Sequence, residues 1–282
     1  MKRLSLIVLW LVVGALAGTA WALPPTTLKY NYFIYKQWGG TWQDANKNYV
    51  DDSLMCWAAT ASNVLDWGVW DTPTITTAPQ IFQHFKDHWT NNTGVMSWGW
   101  KWWLNGSPPP YYFASYPDVP GGGNFYPEAN YTDYYRYAGS GDLMGVMDEW
   151  MHQGYGVGLT IGKGTGMHAI TAWGFGYTLV NGGKKYTSIY VTDSDDGVTG
   201  LRNYPLTWNG EYWYLGGGYS GWSLASLSGF KFRLSPALAG ATLGGEELPA
   251  GEIIPTPLAP SWLLLGAGLL LLLLLNRRVT VK

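Results

Sequence analysis

The chain has 282 residues, with 17 Lys and Arg against 19 Asp and Glu and a formal net charge of −2. So even a balance offers no basic face for nucleic acid, and none is expected as a partner. Only 13% of residues are charged, while 18 Trp, 20 Tyr and 38 Gly make the chain aromatic and turn-rich. That composition suits an exported protein and leaves a sugar-binding surface open.

Residues 1–22 read as a secretory leader. Lys2 and Arg3 open it, an apolar run from Leu4 to Leu16 follows, and Ala20-Trp21-Ala22 fits a small-x-small cleavage site. One domain over residues 23–235 is then expected, long enough to bury a core. "LKYNYFIYKQW" (28–38) has strand-like aromatics and runs into turns at "GGTWQDANKN". Residues 53–67 predict a helix, capped by Asp52 or Ser53 and packed through small alanines. A second helix is predicted over 78–89, "APQIFQHFKDHW". Residues 90–140 read as loop, on the signals "GSPPPYY" and "VPGGGNFYP". Within them, "MSWGWKWWLNG" (96–106) suits either core packing or an aromatic groove for extended peptide or sugar. A third helix over 141–153 sets Leu143, Val146, Met147 and Trp150 on one face. Strands follow: one over 154–162, two more in 166–197 joined by a turn at "NGG" (181–183), and shorter ones to Ser235. Helices early and strands late predict an α+β chain.

Residues 236–257, rich in Ala, Gly and Pro, read as a linker to the hydrophobic segment 258–282. Its apolar core, Leu258 to Leu275, is about the minimum that spans a bilayer. Arg277, Arg278 and Lys282 follow it, and basic residues tend to stay cytoplasmic. This tail resembles the PEP-CTERM sorting signals of Gram-negative bacteria, with "PTPLAPSW" where that pattern carries Pro-Glu-Pro. The resemblance implies an exported, cell-envelope or extracellular protein, at least transiently anchored in the membrane, with a sorting peptidase as a partner.

The chain has a single cysteine, Cys56, in "DDSLMCWAATASNVLDW" (51–67). With no second cysteine it forms no internal disulfide, so it is either a buried small hydrophobe or a reactive thiol. A position near a helix N-terminus favours the thiolate, because the helix dipole and free N–H groups there stabilise an anion. Four histidines could serve as its base: His84, His88, His152 and His168. A hairpin centred near Gly182 selects His168, because antiparallel pairing brings it close to Asp193 or Asp195. A carboxylate there would hold the imidazole tautomer and stabilise the imidazolium. The rival reading of "DSDDG" (193–197) is a calcium loop, but its Gly stands at the fifth position and the distal Glu is missing. Asp196 reads as turn chemistry. His84 and His88 share a helix face without a third ligand, so no metal site is expected. His152 reads as a favourable charge at a helix C-terminus.

Three blocks, "DDSLMCWAATASNVLDW", "GMHAITAWG" (166–174) and "IYVTDSDD" (189–196), resemble the streptococcal immunoglobulin-degrading cysteine endopeptidases of the IdeS type, in the papain-like clan. The resemblance covers about a quarter of the chain, on its catalytic blocks. It implies a papain-like α+β fold with the nucleophile helix packed on an antiparallel sheet. It makes Cys56 the nucleophile, His168 the general base, Asp193 the orienting carboxylate and Asp195 a supporting acid. Lys47, one residue out of register, stands for an oxyanion-hole lysine. The implied activity is that of an exported cysteine endopeptidase acting on a protein or peptide substrate without a cofactor. Two rivals stay open: a surface or matrix protein that binds polysaccharide, and a transpeptidase or amidase on the same scaffold. Immunoglobulin is not carried over as the substrate, because the regions outside the blocks differ.

Overall fold

The strongest turn signal in the chain, Asn181-Gly182, forms a two-residue hairpin turn. Both residues have positive φ, 51° and 80°, which matches the right-handed twist of the strands they join. Gly182→Val would force a β-branched residue into the left-handed region. The expected loss is about 1–2 kcal/mol, read as a lower urea midpoint at unchanged slope.

The structure is a computed structural model and describes residues 28–106 and 121–233. In chain order the elements are β1 (Lys29–Phe33), α1 (Ile34–Trp38), α2 (Cys56–Trp67), α3 (Ala78–His88), α4 (Met96–Asn105), α5 (Tyr131–Tyr134), β2 (Tyr135–Ala138) and α6 (Leu143–His152). Then come β3 (Tyr155–Lys163), β4 (Gly166–Val180), β5 (Gly183–Thr192), β6 (Arg202–Trp208), β7 (Trp213–Leu215) and β8 (Ser223–Lys231). The expected leader (1–22), linker (236–257) and hydrophobic tail (258–282) lie outside the described residues. So does most of the proline-rich loop. Among the described residues, no helix is long and apolar enough to cross a membrane.

The papain-like α+β expectation is corrected by the sheet. The strands run β4-β3-β8-β7-β6-β5, and β5 pairs back onto β4, so six antiparallel strands close into a barrel. β1 and β2 attach outside the ring, on β4 and β8. The long strand β4 serves three partners. β3 takes Gly166–Ala172, β1 takes Gly174–Thr178, and β5 covers Thr171–Val180. The ring is completed by a single pairing between β7 and β8, Tyr214 with Ser223. That pairing has no sequence signature, because alternation and turn residues report on neighbours in the chain and not on closure.

The helix that carries Cys56 lies against β3 and β4. Its close approach is possible because the strand is bare beneath it. A Cβ at Gly158 would stand 2.9 Å from Thr60 Cγ2, and one at Gly156 would stand 2.9 Å from Val64 Cγ1. The glycine alternation in "GYGVGLTIG" is therefore a docking track for α2. Two hydrophobic clusters result. One is formed by α6 with strand residues such as Val157, Leu159, Phe175 and Val191. The other packs α2, α3 and α4 over Ala169 and Phe230.

The segment "MSWGWKWWLNG" is a helix, not a loop, and its tryptophans are core. Trp100, Trp102 and Trp103 are buried. Trp100 and Trp103 donate their indole N–H groups to Ala61 O and Trp70 O, at 3.1 and 2.7 Å. A substrate groove made of these three rings is excluded. Isolated tryptophans with no period other than helical read equally well as surface, and tertiary burial decides between the two.

Candidate active site

Cys56 is the first residue of α2, and it is half-buried. The expected caps Asp52 and Ser53 do not cap this helix. The N-cap is Met55, whose side chain makes no capping bond. The first N–H groups of α2, that of Cys56 among them, therefore have no intrahelical acceptor.

Asp52 has a different task. Its buried carboxylate accepts the N–H groups of Asn48 and Tyr49, at 2.9 and 2.7 Å, and pairs with Lys86 Nζ at 3.2 Å. This folds the 48–52 loop and sets Lys47 beside it. Lys47 is buried, and its Nζ donates to Ser53 O at 2.8 Å and pairs with Asp195 Oδ1 at 2.5 Å. Asn63, one turn from the end of α2, accepts the Ala45 N–H at 2.7 Å and donates to Thr171 Oγ1 at 3.0 Å. It ties the loop bearing Lys47 to both α2 and β4.

The hairpin delivers His168 and the aspartates. Its ladder skips Thr187 on β5 and Trp173 on β4, and the two single-residue bulges cancel. Pairing therefore ends in register at Thr171 with Thr192, and His168 and Asp193 meet just beyond it. His168 Nε2 lies 2.8 Å from Asp193 Oδ1. The ring's other nitrogen, Nδ1, is turned away from Asp193, and His168 is the group that most lowers the Cys56 thiol. Asp195 Oδ2 lies 3.7 Å from Nδ1, and the Asp195 N–H donates to Asp193 Oδ1 at 2.9 Å.

The charges in this chain of contacts reinforce one another. Burial pushes the Cys56 thiol up, but the His168 hydrogen bond and charge, the Ala169 N–H and the Lys47 cation together bring it below its ordinary value. Burial pulls His168 down, yet its bonds to Asp193 and Cys56 win and push it up to about 10. Burial pushes Asp193 up, but His168 and the Tyr219 hydroxyl hold it below the usual carboxylate range. The three shifts run in one sense, each favouring the charged form of its group: thiolate, imidazolium and carboxylate.

His168, Asp193 and Asp195 also bring one ligand atom each to within 4.8 Å of one another, a grouping that could hold a metal ion. Here those atoms have protein partners. Asp193 Oδ1 faces His168, Oδ2 accepts the Tyr219 hydroxyl, and Asp195 Oδ1 pairs with the Lys47 ammonium. The local cation is therefore a side chain.

The other histidines stand elsewhere. The rings of His84 and His88 lie tilted to each other at 4.3 Å and bond to Gly122 O and His84 O. No third ligand joins them among the described residues. His152 pairs with Asp148 Oδ1 at 2.9 Å and stacks on Tyr32, so it serves a local network as well as the helix end. Asp196 takes the Val198 N–H and Arg202 Nε, which is the expected turn chemistry. Asp52, Asn63 and Tyr219 are not legible as site residues in the sequence. Tyr219 in particular sits in "GGGYSG" (216–221), a stretch that signals only a turn. Comparison of the chain with protein-family models and with curated proteins finds no match.

Proposed function

We propose that this chain is a cysteine endopeptidase that hydrolyses peptide bonds through Cys56, His168 and Asp193. The observation that carries the reading is His168 Nε2 at 2.8 Å from Asp193 Oδ1, with the thiol at the head of α2 lowered chiefly by His168. The resemblance of the three sequence blocks to the immunoglobulin-degrading cysteine endopeptidases supports the same chemistry, here on a closed barrel. The expected leader and tail place the enzyme outside the cytoplasm in this proposal.

In the first half-reaction the Cys56 thiolate attacks the peptide carbonyl carbon. The Cys56 N–H and Lys47 stabilise the oxyanion. Lys47 spends two of its three hydrogens on Ser53 O and Asp195, and the third remains for that anion. The His168 imidazolium gives its proton to the amine as the C–N bond breaks. Water then attacks the acyl-enzyme, His168 takes its proton, and the thiolate leaves. Asp193 keeps the ring in the tautomer that both transfers need.

The test is digestion of a peptide library by the full chain, with Cys56→Ser as control and new N-termini read by mass spectrometry. Cleavage should vanish in the variant. Its rate should rise as pH climbs through the lowered Cys56 value and fall as His168 loses its proton near pH 10. Both limbs are properties of the coupled pair. Cleavage that survives Cys56→Ser overturns the reading, as does a library left intact across that pH range. Products ligated to an added amine would replace hydrolysis by acyl transfer.

A further inference from the structure

We propose that Tyr219 is the positioning residue of this site: its hydroxyl fixes the carboxylate plane of Asp193 so that Oδ1 faces His168. The role rests on the peptidase reading, although the hydrogen bond can be tested without it.

A carboxylate at the far side of a histidine works only if one oxygen lies along the N–H direction. Asp193 follows directly on the end of β5 and is buried, so a second polar group is needed to hold its rotation. The Asp195 N–H bonds to Oδ1, the oxygen already facing His168. The Tyr219 hydroxyl alone among the described side chains donates to Oδ2. With both oxygens engaged, turning the carboxylate would break contacts at each end and leave a buried oxygen unsatisfied.

Tyr219 is itself held. It ends a 3-10 turn, Gly217–Tyr219, in the connection between β7 and β8. Tyr204 of β6 packs edge-on to its ring at 5.2 Å, and Trp222 does so at 5.5 Å. The ring also lies 6.0 Å from that of His168. Burial and Asp193 both push the phenol above its ordinary value, so it stays a donor wherever the site is active. The β7–β8 connection reaches the end of β5 across β6, the strand between β7 and β5.

Tyr219→Phe removes the hydroxyl and keeps the packed ring. Three readouts apply to it. The carboxyl 13C resonance of Asp193 should titrate about one pH unit higher in the variant, because a donor to the ionised form is lost. The kcat for peptide hydrolysis should fall about tenfold with KM unchanged. In an Asp193→Asn background the same change should cost nothing further, since Tyr219 acts only through Asp193. An unmoved Asp193 titration overturns the proposal, and so does an equal fold-loss in both backgrounds. The carboxyl titration needs no turnover, so it judges Tyr219 even if peptide hydrolysis is never seen. Should the variant fail to fold, the wild-type phenol resonance decides: titration near the ordinary value of about 10 overturns the bond to Asp193, and a flat profile beyond pH 11 supports it.

Discussion

His168→Ala should lower the reactivity of Cys56 at pH 6 and shift its alkylation profile to higher pH. In the intact protein the thiol is held below its ordinary value by His168 first and by the Ala169 N–H and Lys47 next, against a burial effect that works in the opposite direction. Removing the imidazole leaves burial dominant, so the thiol should rise to the free-cysteine value of about 8.5 or above. The thiolate fraction at pH 6, and with it the rate of iodoacetamide alkylation, should fall, and the alkylation profile should move to higher pH. Peptide hydrolysis should fall further, by roughly 10⁴-fold, because the same ring also carries the proton to the leaving amine. The two losses separate the roles of the imidazole: alkylation reads only its charge, whereas turnover reads its charge and its proton. Equal alkylation profiles for wild type and variant would dissolve the pair. The sign for stability follows from the raised His168 value. The contribution of His168 is fully present below its unfolded value of about 6.5. It is lost as pH rises through about 10.

Trp100→Ala should cost about 3–5 kcal/mol of folding stability. The ring is fully buried, stacks on Phe230 at 5.0 Å and donates its N–H to Ala61 O at 3.1 Å. The substitution would empty a site between α2, α4 and β8 and leave a buried carbonyl without that donor. Relaxation into the gap is restricted on one side by β3, whose glycines already bring α2 to close contact. The urea midpoint should drop sharply at unchanged slope. In the fraction still folded, the pH profile of Cys56 alkylation should stay as in the wild type, since the hydrogen bond and ring contacts of Trp100 go to Ala61, Tyr135 and Phe230. A loss under about 1 kcal/mol would mean that the helical layer repacks freely, contrary to the dense aromatic contacts around it.

The local pieces of the site are legible in the residues alone. Alternation and an Asn-Gly turn set the β4–β5 hairpin, and the hairpin sets His168 beside Asp193. That juxtaposition survives two bulges only because they fall on opposite strands and cancel. The start of α2 at Cys56 is legible to within three residues, but its cap is not. Asp52 is a good capping residue by type, yet its carboxylate is committed to Asn48, Tyr49 and Lys86. The aromatic stretch at 96–106 is ambiguous as a sequence because tryptophan suits both a core and a binding face.

By itself, then, the sequence determined contacts between near neighbours: the tight turn, the helix with its thiol at the head, and the imidazole beside its carboxylate. These follow from backbone geometry and period, which act over a few residues. Tertiary structure alone decided the rest. It closed the sheet into a barrel through one pairing of β7 with β8, where helices early and strands late predict an α+β chain with a helix on an antiparallel sheet. It laid α2 on the glycines of β3, paired Lys47 with Asp195, and carried Tyr219 to an Asp193 that lies 26 residues away. Such contacts depend on how distant faces dock, a balance of burial against chain entropy summed over the whole domain, and no short stretch of residues records it.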